Sequence, residues 1–138
     1  MYLKTSNTRL SANNKLRIIF HLLVSLGTPE SVYISRLPQD CKEVYSRGCT
    51  QSGVYLIDPG CFQPMWVYCD MRGPWTTIQR RMDGSVNFTR AWGDYVHGFG
   101  NPRGEYWLGL ENIHCMTTKH QTCSFRVDMT DFTGVSKF

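Results

Sequence analysis

The sequence has 138 residues, a formal net charge of +4 and a pI of about 8.8. A basic balance of this kind ordinarily favours binding to nucleic acid or to an anionic membrane. Here the excess is confined to residues 1–38, which carry five basic side chains against one acidic, whereas residues 39–138 carry ten of each. The charge of the folded part therefore argues against a nucleic-acid partner.

The first 27 residues have the pattern of a secretion signal. The apolar run at residues 18–26 (IIFHLLVSL) is nine residues long and follows four basic side chains, Lys4, Arg9, Lys15 and Arg17. A transmembrane helix needs about 20 apolar residues, so this run is too short to span a membrane but suits a signal peptide. Ser25 and Gly27 are small residues at the −3 and −1 positions of a cleavage site. The alternative is a buried helix of the mature domain; we favour a signal peptide over 1–27 and a secreted, extracellular protein.

Residues 28–39 form a short linker that contains Pro29 and Pro38. The linker shows neither heptads nor Gly-X-Y repeats, so it predicts no oligomerisation stalk and leaves the oligomeric state open. The remaining residues, 40–138, are long enough to bury a modest core.

All six cysteines lie at or beyond position 41: Cys41, Cys49, Cys61, Cys69, Cys115 and Cys123. An even number of cysteines behind a signal peptide predicts disulfides, and six cysteines allow 15 pairings. The alternative is a zinc site formed by His114, Cys115, His120 and Cys123. These residues show no CxxC or HxxxH spacing, which a four-ligand zinc site usually has.

The first predicted elements are a short helix and three strands. A helix is predicted at 41–47, with Asp40 as its N-cap and Glu43 as the capping-box partner. Gly48 is predicted to end this helix. Val, Ile, Tyr and Trp are concentrated in three runs separated by turn residues, which predicts strands at Gly53–Ile57, Met65–Asp70 and Trp75–Arg80.

The second half of the sequence mixes helices and strands. A helix is predicted from Asn87 or Thr89 through Val96, with Phe88, Trp92 and Tyr95 on one face. Residues 106–110 form a short apolar run, 111–119 a helix and 124–129 a strand. Four tryptophans are expected to contribute to the core: Trp66, Trp75, Trp92 and Trp107.

The sequence contains one sequon for N-glycosylation, Asn87-Phe88-Thr89. The alternative role of Asn87 or Thr89 is to cap the predicted helix.

The sequence contains no GxSxG, P-loop or HExxH motif. Its acidic residues are scattered among basic ones, which predicts solvated or ion-paired side chains and not a catalytic pair. The residues concerned are Asp70, Asp83, Asp94, Glu105 and Glu111. The sequence therefore predicts no catalytic residues and no enzyme.

Nine short motifs, in order, resemble the fibrinogen C-terminal-like domain family. They are Asp40-Cys41, Ser52–Ile57, Val67–Met71, Trp75–Arg81, Asp83–Phe88, Trp92–Tyr95, Gly98–Gly100, Gly104–Leu110 and Arg126–Met129. The resemblance implies an α+β fold, in which a small disulfide-tied unit of hairpin and helix precedes a mainly antiparallel sheet with short helices. It also implies that residues 40–138 are a partial domain, because the family's calcium loop and most of its ligand pocket lie in a later subregion.

The resemblance also assigns roles to individual residues. It pairs Cys41 with Cys69, and it leaves Cys49, Cys61, Cys115 and Cys123 at positions where the family usually has other residues. Pairings of Cys49 with Cys61 and of Cys115 with Cys123 are hypotheses for extra disulfides. No metal or ligand residue of the family can be assigned here, so calcium is expected only for a complete domain.

The implied function is that of a secreted recognition module without enzymatic activity. The expected partners are glycans, acetylated groups or extracellular-matrix proteins, in innate defence or in matrix organisation. The alternative is a truncated fragment that binds no ligand.

Overall fold

The computed structural model describes residues 2–7, 36–119, 122–130 and 136–137. They form three helices, α1 to α3, at Cys41–Ser46, Trp92–His97 and Leu110–Thr118. The eight strands, β1 to β8, lie at Tyr2–Asn7, Gly53–Ile57, Met65–Asp70, Trp75–Arg80, Phe99–Gly100, Tyr106–Trp107, Cys123–Thr130 and Ser136–Lys137.

The strands form an antiparallel sheet in the order β2-β3-β4-β1-β7-β8. The short strand β6 pairs with the end of β4, and β5 pairs with β6. This arrangement confirms the predicted α+β class, with a hairpin and helix unit followed by part of a mainly antiparallel sheet. The bounds of β2, β3 and β4 are those predicted from the sequence.

Helix α1 begins at the cap that the sequence predicts. The side chain of Asp40 accepts a hydrogen bond from the Glu43 backbone N–H at 2.8 Å, and Glu43 Oε2 accepts one from the Gln39 N–H at 2.8 Å. The first bond satisfies an amide that the first turn of a helix leaves unpaired, and the second binds the residue before the N-cap. Gly48 follows the helix with a φ of 98°, a backbone conformation that glycine adopts readily.

The core lies between α1, the sheet and α3. Its buried apolar side chains are Cys41, Val44, Ile57, Val67, Cys69, Met71, Ile78, Tyr106, Leu108 and Met116. Two of the four tryptophans expected in the core are instead exposed, Trp66 at 58% and Trp92 at 74%. Successive side chains of a strand point to opposite faces, so Trp66 lies on the face opposite to the buried Val67 and Cys69.

The helix predicted from Asn87 or Thr89 is wrong in its first half, because α2 begins at Trp92 with Ala91 as its N-cap. The residues before it form a loop in which side chains bind the backbone: Asn87 Oδ1 accepts from the Thr89 N–H, and the Phe88 carbonyl accepts from the Tyr95 hydroxyl. Such local side-chain bonds compete with helical hydrogen bonds, so the first half of the predicted helix does not form.

Strand β1 is an element that the sequence patterns do not predict. Its residues belong to the predicted signal peptide, and in the structure they pair with β4 on one side and with β7 on the other. Residues 8–35, which hold the apolar run and most of the predicted linker, lie outside the described residues. Within the described residues, no helix is both long enough and apolar enough to cross a membrane.

Candidate functional site

The first disulfide joins Cys41 at the start of α1 to Cys69 in β3. Their Cα atoms are 5.4 Å apart, and both side chains are fully buried. The backbone N–H of Cys41 also donates to Thr76 Oγ1 in β4, at 3.2 Å. In the chain-entropy account, a loop of 28 residues closed in this way stabilises a fold by roughly 3–4 kcal/mol.

A second disulfide joins Cys61 to Cys115, with Cα atoms 6.1 Å apart. It ties the connection between β2 and β3 to helix α3. Lys119 lies at the end of the same helix, and its ammonium group donates to the Pro59 carbonyl at 3.0 Å and to the Gly60 carbonyl. Helix α3 is therefore held against the tip of the β2–β3 hairpin by a covalent bond and by a charged donor.

The hypothetical pairs Cys49–Cys61 and Cys115–Cys123 are not found, because α3 packs against the hairpin tip and brings Cys115 to Cys61. Cys49 is an exposed free thiol after α1. Cys123 Sγ lies 3.8 Å from the Thr117 carbonyl, and burial raises the pKa of this thiol.

The alternative zinc site lacks one of its four candidate ligands, because Cys115 forms the second disulfide. His120 lies outside the described residues. Elsewhere in the described part of the protein, no three His, Cys, Asp or Glu side chains are grouped as a metal site.

The side chain of Glu105 binds the backbone of an exposed loop. Its side chain is 1% exposed, and its carboxylate accepts four hydrogen bonds from the loop's N–H groups, at 2.6 Å from Met82 and 3.0 Å each from Asp83, Gly84 and Val86. Arg81 Nε lies 3.4 Å from the same carboxylate. These backbone donors, the Met82 N–H first, lower the pKa of Glu105 from 4.5 to about 2 despite its burial.

We call residues 82–91 the clasped loop. Two of its side chains fold back on it: Asp83 Oδ1 accepts from the Ser85 N–H at 3.0 Å, and Asn87 Oδ1 accepts from the Thr89 N–H at 2.8 Å. Both bonds form Asx turns, which give an irregular backbone fixed local geometry. Most side chains of the loop are exposed, so the loop presents a surface whose backbone is held in place.

A cluster of aromatic side chains packs against the same loop. The Phe99 ring contacts the rings of Phe88 and Tyr95 edge to face, with centroids 4.9 and 5.1 Å apart. The Tyr95 hydroxyl donates to the Phe88 carbonyl at 2.6 Å, and Trp107 Nε1 donates to the Tyr95 carbonyl at 2.8 Å. The cluster therefore joins the loop to α2 and β6.

Two arginines cover this cluster. The Arg81 guanidinium lies 4.0 Å from the Phe88 ring centroid, and that of Arg90 lies 4.8 Å from the Phe99 centroid. Contacts of a cation with a ring face at these distances are attractive. Together they place two positive groups at the clasped loop, Arg81 directly before it and Arg90 within it.

Asn87 is exposed within the clasped loop. Its Oδ1 caps a turn and not the helix, which begins at Trp92. A glycan would be attached through Nδ2, so the turn and the modification use different atoms of the same amide. Glycosylation of Asn87 stays a prediction.

Two other carboxylates singled out from the sequence, those of Asp70 and Glu111, each form a separate ion pair. Asp70 is buried and binds the guanidinium of Arg72 at 2.8 Å, and Glu111 lies 3.2 Å from His97 Nδ1. Glu105 is the residue whose role the sequence did not reveal. The signal available was its position between Gly104 and an apolar run, where a lone acidic side chain needs buried partners.

The hydroxyl of Tyr106 bridges two strands that separate. Strands β3 and β4 pair only at Cys69 with Thr76 and at Asp70 with Trp75. Where they separate, the buried Tyr106 hydroxyl accepts from the Tyr68 N–H at 3.2 Å and donates to the Thr77 carbonyl. Burial raises the pKa of this phenol, which keeps it protonated as a donor.

Comparisons with known proteins agree with this geometry. The family described as fibrinogen beta and gamma chains, C-terminal globular domain, matches residues 37–138. Microfibril-associated glycoprotein 4 of Bos taurus is 49% identical over 107 residues, which amount to 75% of this chain and 42% of that protein. The sequence thus spans about two fifths of the length of this relative.

Two solved structures show the same fold. The fibrinogen-like globe domain of human ANGPTL2 matches with a TM-score of 0.64 and 44% identity, over 72% of this chain and 47% of that one. Lamprey fibrin D-dimer, complexed with the peptide ligand Gly-His-Arg-Pro-amide, matches with a TM-score of 0.63 and 38% identity, over 74% of this chain and 34% of that one.

Proposed function

We propose, on the premise that this protein belongs to the family of the C-terminal globular domain of fibrinogen beta and gamma chains, that it is a secreted recognition module without enzymatic activity. The observation that carries the proposal is the family match over residues 37–138, supported by the likeness to a fibrin structure complexed with a peptide. Its partners would be glycans or acetylated groups, or extracellular-matrix proteins, in innate defence or matrix organisation.

Secretion is supported by the signal-like residues 1–27 and by the two disulfides. Disulfides form and persist in oxidising compartments, and the fold contains two buried or partly buried ones. The domain limits that follow are a signal peptide at 1–27, a linker at 28–39 and a partial fibrinogen-like domain from residue 40.

The clasped loop is the surface that we assign to recognition. Its backbone is fixed by Glu105, so it loses little conformational freedom when a partner binds, and such preorganisation raises affinity. Met82 is exposed at one end of the loop, Arg81 directly precedes the loop, and Arg90 is one of its residues. No calcium is assigned to these residues, since calcium is expected only for a complete domain.

The test is capture of the full secreted protein on N-acetylated resin and on immobilised extracellular-matrix proteins, each with calcium or with EDTA. We expect capture on one of these supports, and we expect Met82→Lys to reduce it about tenfold or more, as for a binding hot spot. Phe62→Lys is the matched control, because Phe62 is also apolar and exposed but lies outside the clasped loop. Equal capture of both variants would remove the loop from the binding surface.

The alternative is a fibrinogen-like fragment that binds no ligand. The sequence given spans 42% of the length of the bovine relative. If the folded, secreted protein is captured on none of these supports, the recognition proposal fails and this alternative stands.

A further inference from the structure

Asp83 and Gly84 form the one Asp-Gly pair of the sequence, which contains no Asn-Gly pair. Both residues are exposed in the clasped loop. In an Asp-Gly pair the glycine nitrogen can attack the aspartate side chain, because glycine has no Cβ to crowd the approach. A Cβ at Gly84 would meet no atom of a more distant residue within 4 Å, so this side of the loop is open to solvent. The pair is therefore a candidate for spontaneous rearrangement of the backbone.

The rearrangement of an Asp-Gly pair has two steps. In the first, the Gly84 nitrogen forms a bond to Asp83 Cγ, and the amide proton leaves with the hydroxyl of the protonated carboxyl as water. In the second, water opens the succinimide ring so formed. Opening at Cγ restores aspartate, whereas opening at the backbone carbonyl carbon leaves the main chain running through Cγ, as isoaspartate. Water is released and then taken up again, so the step needs no other reactant.

Glu105 restrains the attacking nitrogen. Its Oε1 accepts hydrogen bonds from the Asp83 N–H and from the Gly84 N–H, at 3.0 Å each. Because both amides are directed at one oxygen, they fix the torsion about the Asp83 Cα–C bond that lies between them. A rotation that turns the Gly84 nitrogen towards the Asp83 side chain breaks at least one of these bonds. The first step therefore requires the clasp to open.

A carboxylate beside an amide can also act as a base and speed such an attack. A general base works best when its pKa lies near the operating pH. The backbone donors, the Met82 N–H first, lower the pKa of Glu105 to about 2, so this carboxylate is a weak base. The geometry and the basicity of Glu105 therefore both favour protection of the Asp-Gly pair over catalysis of its rearrangement.

The side chain of Asp83 is restrained as well. Its Oδ1 accepts from the Ser85 N–H at 3.0 Å, which holds the carboxylate against the residue beyond Gly84. The hydrogen bonds of Ser85, that of its side chain first, lower the pKa of Asp83. The protonated carboxyl that the first step requires is thus scarcer than in an ordinary aspartate.

We propose that Asp83-Gly84 is a site of isoaspartate formation that the Glu105 carboxylate keeps closed, and that the site becomes reactive when the clasped loop opens. An isoaspartate adds one atom to the main chain at position 83. The four N–H groups that meet Glu105 then no longer match its carboxylate, so the modification loosens the loop. This inference goes beyond the proposed function and does not depend on ligand binding.

The test compares the folded, unmodified protein with Glu105→Gln and with the control Glu111→Gln, which alters an exposed ion pair. Each protein is incubated at about pH 6, where a small fraction of an ordinary Asp carboxyl is still protonated. Isoaspartate at position 83 is quantified over time by peptide mapping with chromatographic separation of the two isomers.

We expect isoaspartate to form about tenfold faster or more in Glu105→Gln than in the other two proteins, because opening of the loop controls the rate. Equal rates in all three proteins would overturn the proposal. Slower formation in Glu105→Gln would also overturn it, since Glu105 would then act as the base of the first step.

A second measurement keeps the proposal testable if Glu105→Gln does not fold. The unmodified protein in urea, with its disulfides intact, lacks the clasp and gives the unprotected rate of isoaspartate formation. We expect this rate to be about tenfold or more above that of the folded protein, whose Gly84 amide should exchange slowly. Equal rates in the folded and unfolded protein, or fast exchange of the Gly84 amide in the folded one, would contradict protection by Glu105.

Discussion

Single residues fix the parts of this fold that carry no regular secondary structure. Glu105 accepts bonds from four backbone amides of the clasped loop, and Tyr106 bridges β3 and β4 where their pairing ends. The two residues are adjacent in sequence, and their side chains are directed to different parts of the molecule. Two consecutive residues thus position both the loop and the sheet junction.

Glu105 makes stability depend on pH in a defined window. Its pKa is lowered from 4.5 to about 2 in the folded state, so its contribution is fully present above about pH 4.5 and is lost as the pH falls towards 2. Glu105→Gln should therefore lower the urea midpoint at pH 7 and flatten its dependence on pH between 4.5 and 2. Glu111→Gln is the control, since Glu111 lies at the surface. An unchanged pH profile for Glu105→Gln would show that the clasp does not form.

Removal of the Tyr106 hydroxyl should destabilise the fold. Tyr106→Phe leaves the Tyr68 N–H and the Thr77 carbonyl without this partner in a buried place, which costs about 1–3 kcal/mol. The measurement is the free energy of unfolding in urea at pH 7. Tyr55→Phe is the matched control, because the Tyr55 hydroxyl binds the Gln51 carbonyl at the exposed surface. Equal effects of the two variants would argue against the bridge.

At the scale of elements, helix α3 depends on the hairpin tip to which Cys61 and Lys119 attach it. Its last turn carries two threonines, Thr117 and Thr118, whose hydroxyls bond back to carbonyls of the preceding turn. Such bonding is neutral or unfavourable for a helix. The tertiary attachments therefore supply stability that the local sequence does not.

Removal of the second disulfide should lower the free energy of unfolding. Cys61→Ala with Cys115→Ala opens a loop of 54 residues, and the chain-entropy account predicts a loss of about 4 kcal/mol. Urea unfolding of the double variant measures this loss, and peptide mapping should still find Cys41 joined to Cys69. Cys49→Ala is the control and should leave stability unchanged. A peptide linking Cys61 to Cys49 in the unmodified protein would contradict the pairing.

The elements also show what local sequence can and cannot predict. Strands β2 to β4 were predictable because each is a compact run of β-branched and aromatic residues between turn signals. The first half of the helix expected over 87–96 does not form, because the Asn87 side chain binds the Thr89 N–H in a turn and the Tyr95 hydroxyl binds the Phe88 carbonyl. The partner of Cys61 was likewise hidden, since cysteine spacing does not show that α3 lies at the hairpin tip. Strand β1 has the residues of a leader, and only its two neighbours make it a strand.

At the scale of the whole molecule, the exposed sequon predicts a surface modification. When the full protein is produced in a eukaryotic secretory system, we expect a glycan at Asn87 that a glycosidase removes, seen by mass spectrometry. Thr89→Ala should abolish it, because it destroys the sequon while keeping the Asn87 amide, and Thr89→Ser should retain it. An unmodified Asn87 in the secreted, folded protein would show that the clasped loop is not glycosylated.

The position of β1 also sets an order of events during synthesis. Tyr2 pairs with Asp128, so at translation rates of roughly 5–20 residues per second the first strand waits on the order of ten seconds for its last partner. During that interval the N-terminal segment is exposed to the targeting machinery while the pairing of β4 and β7 is still incomplete. If residues 1–27 direct secretion, residues 2–7 among them have two uses: recognition by the targeting machinery and, in a molecule that is not cleaved, pairing as β1. A molecule cleaved after residue 27 lacks β1, and its β4 and β7 strands lose the backbone partner that residues 2–7 supply.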